Sequence, residues 1–334
     1  MNPEFVVPGD HAAHARTWMT WPDNRGFWGR KLGQAQNDLA TLAHTIARYE
    51  PVRMFANPQS VGEARHQCGS TVEIRSDVAV DDCWTRDSSP LVRIAGDGRR
   101  DAISLNFNGW GNKQAHDNDR HVARSIASTS GLTCRPADVV GEGGAIETDG
   151  AGTIMATESS LVNSNRNPGL SRDDIERAVL DAYGATTMIW TPGVAGKDIT
   201  DDHIDATSRF VRPGVVIVQV PPAKRRDVFA RSAREQQDIL RNATDAAGRR
   251  LEIIELAGPD KLRAKGRDVL DSYANFVLVA GAVITAQLGD APTDAACRET
   301  LHAAFPDREV IQLNLDGVHR GGGGAHCTTM HEPA

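Results

Sequence analysis

The chain has 334 residues, 40% hydrophobic and 24% charged, with a formal net charge of −7. That is the make-up of a water-soluble globular protein with a large core. No apolar run approaches the roughly 18 residues of a membrane helix, no basic-then-apolar leader opens the chain, and the negative charge argues against nucleic acid and suits a cationic partner. A cytoplasmic protein is expected.

In chain order, Leu39, Leu42, Ala43 and Ile46 predict an amphipathic helix over 33–48, and Val52-Arg53-Met54-Phe55 a strand behind it. Val72–Arg75 and Leu91–Ile94 read as short strands. A weaker helix over 118–128 carries Val122 and Ile126. Thr153–Ala156 is a strand candidate. Ser171-x-x-Asp174 forms a capping box ahead of Ile175, Val179 and Ala182, with Gly184 as the stop and Thr187–Trp190 as the next strand. Val215–Val220, a helix over 226–246 and Leu251–Ile254 repeat the pattern. So do Phe276–Ala280, Val283–Ala286, a helix over 293–304 and Glu309–Leu313. Five helices set among short strands predict an α/β protein. Their unequal spacing suggests modules with different insertions, without a clean sequence repeat. No Pro/Gly/Ser-rich linker divides the chain, so 1–334 reads as one domain.

The five cysteines, Cys68, Cys83, Cys134, Cys297 and Cys327, are odd in number and never spaced CxxC, which excludes a disulfide framework and a zinc ribbon. Four of them read as packing residues. Cys327 differs, because Gly321 to Gly324 precede it and leave one side open to a ligand. The glycine run is no phosphate loop, since no Lys-Ser/Thr follows it. Three further polar clusters accompany it: Asp81 to Asp87, Gly141 to Gly144 and Thr200 to Asp205.

Asp201-x-His203-x-Asp205 projects from one face if the segment is a strand, and that donor set suits Mn²⁺. The same D-x-H-x-D spacing resembles one of the manganese motifs of the ureohydrolases, which also cleave guanidines; that is the rival reading, although no second Asp-rich motif is found. The clusters taken together suit a metal-free reaction. Carboxylates fix a planar guanidinium, a thiolate adds to its carbon, and a histidine protonates the departing ammonia. No metal and no other cofactor is needed. A binding protein for a cationic ligand is the non-enzymatic rival, and it leaves the thiol without a role.

Near end to end, the chain resembles the agmatine deiminases of the guanidine-modifying pentein superfamily, which also holds peptidyl-arginine deiminases. The resemblance rests on Thr17 to Pro22, Trp84 to Asp87, Phe107 to Gly111, Glu142 to Gly144, Asn163 to Pro168, Thr200 to Asp205 and Gly321 to Thr328. It implies a five-bladed α/β propeller of ββαβ modules around a pseudo-fivefold axis. It also implies Cys327 as nucleophile, His203 as general acid/base, and Asp87 and Asp205 as guanidinium holders. Trp84, Glu142, Asp201 and Gly324 become candidates for the rest of the substrate site, Glu142 and Asp201 for its distal amine. Agmatine would yield N-carbamoylputrescine and ammonia for polyamine synthesis, and a homo-oligomer is plausible by analogy; peptidyl-arginine or another guanidine is the alternative substrate. The chain departs from the family pattern at Asp202, where glycine is common, at Ala325, and at Met330-His331, where a Gln pair is common. Trp18, Trp21 and Trp110 suit the core or a pocket wall equally. His11 and His14 are expected at the surface.

Overall fold

Five small sheets, counted among the described residues, share one order of connection in the computed structural model, which describes residues 3–266 and 268–334. Leu91–Ala95 and Arg100–Ser104 pair antiparallel; the helix Asp119–Thr129 follows, and Cys134–Pro136 then lies parallel to Arg100–Ser104. The same sequence of events recurs in Ile146–Thr148, Thr153–Thr157, helix Arg172–Tyr183 and Thr187–Thr191. It recurs in Ser208–Arg212, Val215–Val220, helix Val228–Asn242 and Glu252–Ala257. A fourth copy is Val277–Val279, Ala282–Ala286, helix Ala291–Ala304 and Glu309–Leu313. The fifth joins the two ends of the chain: Met330–Pro333 pairs antiparallel with His14–Thr20, and the helix Leu32–Ile46 leads to the parallel strand Val52–Phe55. The repeat is therefore one of topology, which periodicity alone does not reveal.

The foreseen helices form where their apolar stripes demand burial. Leu39, Leu42, Ala43 and Ile46 are all fully covered on Leu32–Ile46. The Ser171 hydroxyl accepts from the Asp174 N–H while the Asp174 carboxylate accepts from the Ser171 N–H, and Gly184 closes that helix at φ 63°. The strand His14–Thr20 escapes the sequence reading because both its faces are buried from Thr17 onward, Trp18 on one and Met19 on the other, so no apolar/polar alternation marks it. Trp18 and Trp21 are core residues.

Two expectations fail. Residues 200–205 are not a strand: the backbone bends at Asp201 and Asp202, both at positive φ, and turns into the 3-10 segment Ile204–Ala206. His14 is not a surface residue. Its Nδ1 lies 3.2 Å from a Glu50 carboxylate oxygen, and its ring stacks on His331 at 3.8 Å.

Chain ends of the modules position the chemistry. Asp87, Gly144, Asp205, Asn275 and Cys327 each stand within four residues of the first strand of a different module, at Leu91, Ile146, Ser208, Val277 and Met330. Equivalent loops from five modules thus deliver five groups to one region.

Candidate active site

Cys327 sits on a turn directly behind the glycine run, half-buried and unbridged. Asn275 orients it. The N–H groups of His326 and Cys327 donate to Asn275 Oδ1 at 3.1 and 3.4 Å, which turns its amide Nδ2 toward Cys327 Sγ at 3.1 Å. Asp205 Oδ2 lies 3.6 Å from the same sulfur. Burial first, then the Asp205 and Asp87 carboxylates, push the Cys327 thiol well above its ordinary pKa. The resting group is a thiol.

His203 stands between carboxylates. Its Nε2 is 3.2 Å from Glu142 Oε2, and its Nδ1 is 3.9 Å from Asp87 Oδ2. Burial works to lower its pKa, but Asp87, Glu142 and Asp205 outweigh burial and raise it to about 9. At neutral pH it is an imidazolium, ready to give up a proton. Glu142 in turn is gripped by Arg166, whose Nε donates to its two oxygens at 2.7 and 2.9 Å. Arg166 Nη1 donates to Asp201 Oδ2 at 2.7 Å, and Nη2 to the Thr200 carbonyl at 2.9 Å. This buried network fixes the loop that carries His203.

Asp87 receives the Gly144 N–H on Oδ1 and the Trp110 indole N–H on Oδ2, both at 2.9 Å. Burial raises its pKa. Asp205 is also desolvated, yet the imidazole of His326, 2.7 Å from its Oδ2, and His203 hold its carboxyl below the usual range. Both carboxylates, with His203, Cys327, Trp84 and Trp110, line one cavity of about 50 Å³. The glycines are required by contact. A Cβ on Gly144 would lie 2.8 Å from Asp87 Oδ1 and 2.9 Å from His203 Nδ1, and one on Gly323 would overlap the Trp84 ring.

The structure brings five of the eight named site residues to this cavity: Cys327, His203, Asp87, Asp205 and Trp84. It corrects three others. Glu142 is fully buried behind His203, its oxygens occupied by Arg166 and His203, so it positions the histidine and is not free to bind a distal amine. Asp201 is occupied by Lys113 and Arg166, each at 2.7 Å, and by the Gly196 N–H. Gly324 does not line the cavity; a Cβ there would lie 2.6 Å from Asn275 Oδ1, so its smallness makes room for Asn275. The proposed manganese face is likewise not assembled, since Asp201 is held by cations and the three residues share no strand. Asn275 was missed in the sequence. Its one signal is position, two residues ahead of a module's first strand, where other modules place their own polar group.

Known proteins resemble this chain over nearly its whole length. The pattern of the Porphyromonas-type peptidyl-arginine deiminases matches residues 6–333. A Streptomyces coelicolor relative is 35% identical over 338 residues, covering 98% of this chain and 99% of its own. The agmatine deiminase of Pseudomonas putida is 32% identical, over 99% of this chain and 96% of its own. A solved structure, the agmatine deiminase of Enterococcus faecalis, superposes with a TM-score of 0.94 at 27% identity, covering 99% of this chain and 96% of that one. The chain belongs to the Porphyromonas-type peptidyl-arginine deiminase family.

Proposed function

We propose that this protein hydrolyses agmatine to N-carbamoylputrescine and ammonia, with Cys327 as nucleophile. The observation that carries the reading is one small cavity walled by Cys327, His203, Asp87 and Asp205. The names of relatives support agmatine as the substrate.

The chemistry follows from the protonation states. A guanidinium entering between Asp87 and Asp205 donates to both carboxylates. Its positive charge beside the sulfur favours the thiolate, and the thiol proton leaves to solvent. The Asn275 amide N–H supports the new negative charge. The thiolate adds to the guanidinium carbon and forms a C–S bond, giving a neutral tetrahedral adduct. His203 gives its proton to one amino nitrogen, the C–N bond breaks, and ammonia departs. What remains is a thiouronium cation on Cys327 and a neutral imidazole. That imidazole takes a proton from water, and the hydroxide adds to the same carbon. Collapse to the carbonyl breaks the C–S bond and expels the sulfur, which recovers a proton from the hydroxyl. No redox step occurs.

On this reading the five modules are blades around a pseudo-fivefold axis, because each sends one group to the same region just before its first strand. The chain acts as one catalytic domain over 1–334. A homo-oligomeric working form rests on the family resemblance, and a cytoplasmic setting on the sequence reading. No helix among the described residues is long and apolar enough to cross a membrane.

The test is product analysis by mass spectrometry with agmatine, arginine and a short arginine-containing peptide. N-carbamoylputrescine from agmatine is the expected result. Citrulline or a citrulline peptide as the main product would move the reading to the alternative substrate, and putrescine with urea would overturn deimination.

A further inference from the structure

A second cavity, of about 560 Å³, adjoins the catalytic one. The two share Phe27, Asp198, Ile199, Thr200, Leu270 and Gly321 among their walls, so the larger begins where the smaller ends. Its volume lies within the ~300–1,000 Å³ range of pockets for drug-sized ligands, well beyond the needs of a four-carbon arm.

Asp202 lines this second cavity and not the catalytic one. Its backbone is left-handed, at φ 69°, where glycine is the unstrained residue. Its side chain is nine-tenths buried. Ser232 Oγ, donating at 3.4 Å, and the Val194 backbone are the donors it meets; no Lys, Arg or His makes a hydrogen bond or salt bridge to it among the described residues, and the neighbouring His203 acts on it only through space. Burial first, then the neighbouring Asp198 carboxylate, raise its pKa to about 7. An arriving cation relieves both effects.

The other charges around the cavity are engaged or at its rim. Arg225 is held by Asp271 and Asp227, and Arg320 donates to Gln34. Asp198 accepts from Thr200 Oγ1 at 3.1 Å and from the Asp202 N–H at 3.0 Å. Lys31, Lys197 and Asp268 are exposed, and Lys31 Nζ donates to the Arg320 carbonyl at 3.5 Å. Among the described residues, Asp202 is therefore the buried carboxyl of this cavity that no cation touches directly.

We propose that the second cavity receives the far end of a guanidine longer than agmatine, one carrying a further aminoalkyl arm, and that Asp202 is the specificity residue pairing with the protonated amine there. The proposal rests on the deimination reading of the catalytic cavity.

The experiment compares agmatine with agmatine bearing an aminopropyl arm on its terminal nitrogen. Binding is measured by calorimetry on the Cys327→Ala protein, with and without Asp202→Gly, and turnover on the protein with Cys327 intact. Glycine suits the left-handed backbone, so the variant is expected to fold, which circular dichroism checks. The expected result is at least tenfold tighter binding of the longer guanidine, reduced to near parity by Asp202→Gly, with a matching change in the ratio of kcat/KM values. Equal affinity for the two ligands, or a preference that Asp202→Gly leaves in place, would overturn the subsite. Absence of turnover of either guanidine by the intact protein would overturn the deimination reading instead, and the calorimetric preference would still decide the subsite.

Discussion

A thiol flanked by two carboxylates resists ionisation, and the residues around Cys327 show how that resistance is made conditional. Asp205 and Asp87 raise the thiol pKa, and on the proposed mechanism they also hold the guanidinium cation that lowers it. The Asn275 amide is a neutral donor aimed at the sulfur, and the Gly324 backbone is another. Hydrogen bonds to charged groups contribute about 1.5–3 kcal/mol, so Asn275→Ala is expected to lower kcat by roughly 10- to 100-fold. Thiol labelling should also show a higher Cys327 pKa in the agmatine-bound state. An unchanged kcat would remove Asn275 from the mechanism. The pH dependence follows from His203, which on the proposed mechanism must be protonated to release ammonia. Its pKa of about 9 keeps it charged through neutral pH, so kcat is expected to fall as pH rises through that value. Glu142→Gln removes a carboxylate that raises this pKa, so the alkaline limb should move to lower pH. A limb that stays in place would show that another group controls it.

At the scale of elements, the decisive one is the loop from Gly196 to Ala206, which has little regular structure and owes its shape to side chains. Asp201 caps it by accepting from the Gly196 N–H at 2.7 Å, and Arg166 ties Asp201, Thr200 and Glu142 together. Arg166→Leu would leave Glu142 with His203 alone and Asp201 with Lys113 alone, each short of a buried cation that it now holds. Removing one member of a buried ion pair costs about 3–5 kcal/mol, so Tm should drop by roughly 5 °C or more, with kcat falling more than KM rises because His203 loses its seat. A Tm unchanged within error would mean that the network does not hold the loop. The long helices were legible in the sequence because an apolar stripe is a local pattern. The loop was read as a strand face because D-x-H-x-D spacing cannot report that Asp201 and Asp202 take positive φ. Short strands such as Ile146–Thr148 and Met330–Pro333 were missed for a related reason: three or four residues carry too little periodicity, and sheet partners decide them.

For the molecule as a whole, the closure between Met330–Pro333 and His14–Thr20 ties the last module to the first residues of the fold. His331 lies in that seam, stacked on His14, and burial together with His14 depresses its pKa to about 3. Unfolding exposes it to water, where it binds a proton more readily. The unfolded state therefore holds the extra proton between about pH 6.5 and 3, and stability falls as pH falls through that window. His331→Gln removes this contribution, so its Tm should decline less between pH 7 and 5 than that of the unsubstituted protein. Parallel declines in thermal denaturation would show that His331 does not titrate in the seam. Cys327, His203, Asp87 and Asp205, to which the family resemblance gives the proposed roles, were legible in the sequence because each stands in a short motif, and the structure brings them to one cavity. Asn275, the retreat of Glu142 and Asp201 into a supporting network, and the cavity beside Asp202 belong to the tertiary structure alone. They depend on contacts between modules far apart in the chain, where burial and the nearest charge, not neighbours in sequence, decide what a side chain meets.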